Sequence, residues 1–207
     1  VTPMKEFSQS PSEPIWRQNG YDLSVDSANS DYLALPSSRK IVNLGDSFSC
    51  VFDLADVVDG TLFSDGNAGS TVGLFNSNGS LYLDGSTSGY GFWNTTLQAV
   101  VGTNNLLIEI TDSGNGMTVT LNGVSANNPT YGEFDFKDVF KRASAYRSGS
   151  IYNLSINSET FNFSESRGLT TTGSEGTVAT INTSASGGIP KADDNSLEFD
   201  GTNNDYL

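Results

Sequence analysis

Histidine is absent from this 207-residue chain, and cysteine occurs once, at position 50. Without histidine there is no Ser-His-Asp triad, no Cys-His pair and no His-ligated zinc. A single cysteine forms no internal disulfide. Cys50 alternates with Phe48, Phe52 and Leu54, which marks it as a small buried hydrophobe. Positive charge is scarce: 10 Lys and Arg stand against 24 Asp and Glu, a net charge of −14. Such a surface repels phosphate backbones, so nucleic acid is excluded as a natural partner. No run of 18 apolar residues occurs, so no membrane span is expected. The opening Val1-Thr2-Pro3-Met4-Lys5-Glu6 lacks the apolar run of a secretory leader. The expectation is a protein that does not cross a membrane by that route, one whose leader was removed, or a virion protein released by lysis.

Long helix-periodic runs are missing as well. What remains is sheet material: 22 glycines with abundant Asn, Ser, Thr and Asp for turns, and 12 Phe and 8 Tyr for strands. Phe48 to Leu54 alternates with an apolar face at every second residue, and Val72/Leu74 and Leu81/Leu83 repeat the pattern. Leu106 to Ile110, the glycine-containing stretch 112–116, and Met117 to Leu121 read as strand, turn, strand, with Asn122-Gly123 as the next turn. Tyr152, Leu154 and Ile156 are assigned to one face, followed by Phe161 and Phe163. The first strands are expected over 19–35, ended by Pro36, and only 136–145 permits a short helical turn. Many short strands with turn residues between them predict an all-β, two-sheet antiparallel jelly-roll sandwich.

Three segments organise the chain. Residues 1–18, with Pro3, Pro11 and Pro14, read as an extended arm or linker in which Ile15 and Trp16 anchor onto the body. Residues 19–190 form the sandwich. Residues 191–207 begin a second similar repeat or supply an added edge strand: LSVDSANSDYL at 23–33 and LEFDGTNNDYL at 197–207 agree at six of eleven positions.

A strand of the form Leu-x-Phe-Asp-Gly-x-x-Asp-Tyr-Leu resembles the opening of laminin G-like and concanavalin A-like domains. Leu197 to Leu207 fits it closely and Leu23 to Leu33 loosely. Val119-Thr120-Leu121-Asn122-Gly123 is similar to that family's middle hairpin, and Gly149 to Ile156 to its late strand. The segments Phe161–Glu165 and Gly176–Ile181 are similar in style to the closing parts of such domains in bacteriophage tail and head proteins.

The resemblance implies a lectin-like module with loops that bind sugar, sometimes with calcium. Asp65 and Asn67 offer calcium two side-chain ligands, and suit an ordinary Asp-Gly turn equally. Tyr90, Phe92, Trp93 and Asn94 offer rings for a sugar face and an amide for its hydroxyls; core or edge packing is the other reading of Phe92 and Trp93. Asn128 and Tyr131 form a third candidate. Lys141 and Arg142, with Lys137 and Arg147, form a small basic patch for docking on an acidic neighbour, or a solvated turn. Glu133 and Asp135 alternate onto one face, but the third acid of the family's glycosidases is missing. The expected role is therefore non-enzymatic: a structural or adhesion module of a larger assembly, a phage head decoration, fibre or tail component, with other virion proteins, further copies of itself or a glycan as partners. The alternative is a secreted or cell-surface carbohydrate-binding module, and a glycosidase stands third.

Overall fold

A computed structural model describes residues 15–17, 22–67, 73–85, 91–111, 116–163 and 169–183. The chain is an all-β sandwich of two large antiparallel sheets. The expected arm at 1–14, Val72, Tyr90, the turn at 112–115 and the second copy of the repeat lie outside the described residues.

The first sheet contains β1 (Ile15–Arg17), β2 (Asp22–Val25), β4 (Ser47–Leu54), β9 (Gly102–Ile110), β10 (Met117–Leu121), β11 (Val124–Asn128), β15 (Gly149–Ile156) and β16 (Glu159–Phe161). Its order is β1-β2-β15-β4-β9-β10-β11, with β16 also paired to β15. The second contains β3 (Tyr32–Ile41), β5 (Gly60–Ser64), β6 (Gly73–Ser77), β7 (Ser80–Gly85), β8 (Gly91–Gln98), β12 (Phe134–Val139), β17 (Thr170–Thr172) and β18 (Val178–Asn182), ordered β17-β18-β3-β12-β5-β6-β7-β8. A small hairpin of β13 (Lys141–Arg142) and β14 (Ala145–Tyr146) stands apart. No described helix is long and apolar enough to cross a membrane.

Strand parity places the core where the alternation predicts. Phe48, Cys50, Phe52 and Leu54 on β4, Leu106, Ile108 and Ile110 on β9, and Met117, Val119 and Leu121 on β10 are all buried. Phe48 joins the sheets: its ring lies 4.9 Å from Phe63, 5.2 Å from Phe134 and 4.7 Å from Phe136, each edge-on. Edge-to-face aromatic pairs add to the burial of their area. The Asn-Gly pairs close tight hairpins: Asn78 and Gly79 between β6 and β7, and Asn122 and Gly123 between β10 and β11, all have positive φ. That is the backbone a right-twisted two-residue hairpin requires.

Three expectations are corrected. Residues 136–145 hold no helical turn: β12 runs to Val139 with Phe134 and Phe136 inward, and the β13–β14 hairpin follows. Period-two burial of two phenylalanines outweighs the weak helical pattern. Pro36 does not end its strand, because β3 continues to Ile41. Against β12 the register jumps from Ala34 to Arg39, so Pro36 sits in an exposed bulge where no ladder N–H is needed. Tyr152 does not share the face of Leu154 and Ile156. A bulge between Ile151 and Asn153 shifts the parity, Ile151 takes the inward place, and the Tyr152 hydroxyl donates to Asp53 Oδ2 at 2.5 Å.

The first copy of the repeated motif is a structured corner. Asp26 caps a 3₁₀ turn at Ser27–Asn29 by accepting from Ala28 N, and the Asp26 N–H donates to the buried Asp31. Burial holds the Asp31 carboxyl above the usual carboxylate range.

Candidate functional site

Strands β5, β6, β7 and β8 follow one another in sequence and lie side by side at one end of the second sheet. Their inward positions, Phe63, Leu74, Leu81, Leu83 and Leu97, fill the core. Their outward positions form a cross-strand row. Thr61 faces Phe75, Phe75 faces Tyr82, and Tyr82 faces Asn94. Phe92 lies on the diagonal from Tyr82, and the two rings stack with centroids 4.9 Å apart and planes at 24°. Phe92 keeps 64% of its surface exposed and continues the aromatic row to solvent.

A shallow open groove of about 590 Å³ runs along this row. Phe75 and Thr61 line it with Tyr82 and Phe92, and Asp59 and Arg142 border it as charged groups. The Arg142 guanidinium lies over the Phe75 ring, 5.0 Å from its centroid. Asn94 Nδ2 donates to the Tyr82 hydroxyl at 3.4 Å, orienting that phenol.

The Asp59 side of the groove is fixed from beneath. Arg147 is buried and donates to Val58 O at 2.7 Å, to Asp56 O at 2.9 Å and to Asn76 Oδ1 at 2.5 Å. Asn76, also buried, donates through Nδ2 to Val57 O. Gly60 leaves room for this guanidinium: an added Cβ would stand 2.5 Å from Arg147 Nη1, so a side chain there would have to displace it. Desolvation pulls the guanidinium below its ordinary value, and the Asp56 and Asp59 charges oppose that shift. Asp59 Oδ1 accepts from Ser77 Oγ at 3.0 Å and from Asn78 N at 2.9 Å. The carboxylate is thereby held at the groove rim.

The structure brings Phe92 and Asn94 of the expected sugar site together and separates the others from them. Trp93 points to the opposite face of the same strand and packs, partly buried, against the core, 5.6 Å from Tyr131. Tyr131 is 2% exposed, so no ring face is open to a ligand. Adjacent residues of a strand face opposite ways, so Phe92 and Trp93 cannot form one platform. Asn128 ends β11 in the other sheet, where its Oδ1 accepts from Thr130.

Asp65 and Asn67 form the turn: Asp65 Oδ1 accepts from Asn67 N at 3.0 Å. Among the described residues no group of three or more Asp, Glu, Cys or His stands placed to hold a metal ion. The basic patch is dispersed. Arg147 is inside the body, Arg142 covers Phe75, and Lys141 reaches Asp138 at 3.4 Å with its ammonium 3.8 Å above the Tyr32 ring. Ile15 and Trp16 belong to β1, which pairs with β2 through Trp16 opposite Leu23.

Lys40 sits between Glu133 and Asp135, 2.6 Å from one carboxylate and 3.7 Å from the other. Ser38 also donates to Asp135, whose carboxyl is raised above the ordinary range chiefly by burial. Both acids are thus ion-paired, and neither lines the groove.

Sequence reasoning missed Phe75, Tyr82 and Asp59, and it set Arg147 in a surface patch where the structure buries it. No local motif carries them; only the cross-strand register assembles them. No protein-family model matches the chain, and no curated protein matches it.

Proposed function

We propose that the chain is a non-enzymatic adhesion module of a larger assembly that binds glycan on the outer face of its second sheet. The carrying observation is the row Phe75, Tyr82 and Phe92, partly to largely exposed with Arg142 and Asp59 in an open groove, and with Asn94 exposed across from Tyr82. Aromatic rings meet the C–H face of a pyranose, while amide and carboxylate groups bond its hydroxyls. A ligand that is apolar on one face and polar at its rim suits this lining better than a uniformly apolar or a strongly charged one.

A non-enzymatic role is favoured by the side chains present. Glu133 and Asp135 share Lys40, so neither is poised as a free acid and base flanking a sugar bond. Placement in a phage virion rests on the sequence resemblance and on the acidic, glycine- and asparagine-rich composition. The other assignment, a secreted or surface carbohydrate-binding module, would use the same groove.

The test is a glycan array read with the wild-type chain and with Phe92→Ala. Hits that Phe92→Ala abolishes support the proposal. An array without hits removes the glycan reading and leaves a purely architectural module. Imaging of the native particle with an antibody to this chain then separates virion from cell surface.

A further inference from the structure

We propose that Asp59 is the residue that reads sugar hydroxyls in this groove, and that the groove takes a neutral hexopyranose unit rather than an acidic one. This rests on the glycan-binding reading above and goes further by naming the specificity determinant and the ligand class.

Three observations carry it. First, Asp59 lines the same groove as Phe75, Tyr82 and Phe92. Second, its carboxylate is half used. Oδ1 accepts both Ser77 Oγ and Asn78 N, which fixes the orientation and leaves Oδ2 as the remaining acceptor. A carboxylate oxygen accepts and never donates, so it selects a ligand that donates, and a pyranose hydroxyl does. Third, the loop is set before any ligand arrives: Arg147 and Asn76 grip the carbonyls of Asp56, Val57 and Val58. A site already ordered loses less freedom on binding.

Charge decides the ligand class. A uronate or sialate would bring its carboxylate toward Asp59 in a chain of net charge −14. Arg142, a cation lining the groove, lies over the Phe75 ring, whose π face already meets its charge. A neutral sugar escapes the repulsion and still supplies donors.

Asp59→Asn isolates the point. The asparagine Oδ1 can still accept Ser77 and Asn78, so the loop keeps its bonds, while an NH₂ replaces the remaining acceptor. Binding is measured by calorimetry and by two-dimensional NMR with neutral gluco-, manno- and galacto-configured oligosaccharides and with oligogalacturonate. Thermal unfolding of each variant is recorded alongside. The expected result is that the wild type binds a neutral oligosaccharide and not the uronate, and that Asp59→Asn weakens binding by about tenfold or more at unchanged melting temperature. If a neutral sugar binds and Phe92→Ala weakens it while Asp59→Asn does not, this inference fails and the glycan reading stands. If the wild type binds the uronate as tightly as the neutral sugar, the ligand class is wrong, a result that needs no variant. If the wild type binds neither, the glycan reading itself falls.

Discussion

Arg39 of the second sheet reaches Glu159 of the first, with Nη2 donating to Oε2 at 2.8 Å, and so ties the two layers together near one end. Glu159 is 4% exposed at its side chain and also accepts from Thr177 N; Arg39, at 36%, donates in addition to Thr177 Oγ1. The carboxylate is the buried member, so its removal strands the most polar bonds. Glu159→Ala is expected to cost about 2 kcal/mol, the scale of a lost hydrogen bond to a charged group. Urea unfolding reads it, and an unchanged midpoint would show the pair to be idle.

Phe92 and Trp93 are neighbours with opposite duties. Phe92→Ala removes a ring that is 64% exposed and should alter stability by no more than about 0.5 kcal/mol while abolishing glycan hits. Trp93→Ala opens a gap against the core and Tyr131, and should cost about 2 kcal/mol or more. Side-by-side thermal melts check the pair; equal losses would mean that the two faces are not distinct.

Alkali should unfold the protein through two buried acids. Burial pushes the Cys50 thiol well above its ordinary value of 9.0, and burial, with Asp84 and Glu133 nearby, pushes the Tyr131 phenol above its ordinary 10.0. In both, the folded state keeps a proton that the unfolded state gives up. Their stabilising contribution is complete below the unfolded value and is lost as pH rises past it. Stability should therefore fall from pH 9 upward, first through Cys50 and then through Tyr131. The double variant Cys50→Ala, Tyr131→Phe should show a flatter alkaline limb in urea melts, and an identical limb would refute the assignment.

Mild acid should have the opposite effect. Asp31, Asp135 and Asp138 are each raised, chiefly by burial, so the folded state takes up protons there before the unfolded state does. For these groups stability grows as pH falls through the folded value. Asp46 runs the other way: backbone donation from Val42 and Asn43 lowers it, and its contribution is lost only at more acid pH. Acidification also relieves a net charge of −14. The melting temperature should rise as pH falls from neutral toward the carboxylate range. A melting temperature that only rises with pH across that range would contradict the balance drawn here.

The sandwich itself was largely legible in the sequence, because period-two alternation is a local property. Phe48 to Leu54, Leu106 to Ile110 and Met117 to Leu121 face as their spacing says, and Asn122-Gly123 turns where it should. Bulges were not legible. Pro36 and Tyr152 were misjudged because a slipped register depends on the partner strand, not on the residues themselves. The site was legible only in part. Phe92 and Asn94 were found as aromatic and amide in a glycine-rich stretch, but Phe75 and Tyr82 join them only once β6, β7 and β8 are aligned. One available signal was passed over: in a strand, Phe92 and Trp93 must part company.

Strands β5 to β8 follow one another within residues 60–98 and pair in that order, whereas β2, β4 and β15 come together from distant stretches of chain. Within β5 to β8, outward and inward side chains alternate: Phe75, Tyr82, Phe92 and Asn94 face the outside, while Leu74, Leu83 and Leu97 fill the core. The outward side chains are thus free to be changed. A single contiguous cassette could be exchanged to change what the surface greets, with the scaffold beneath left as it is.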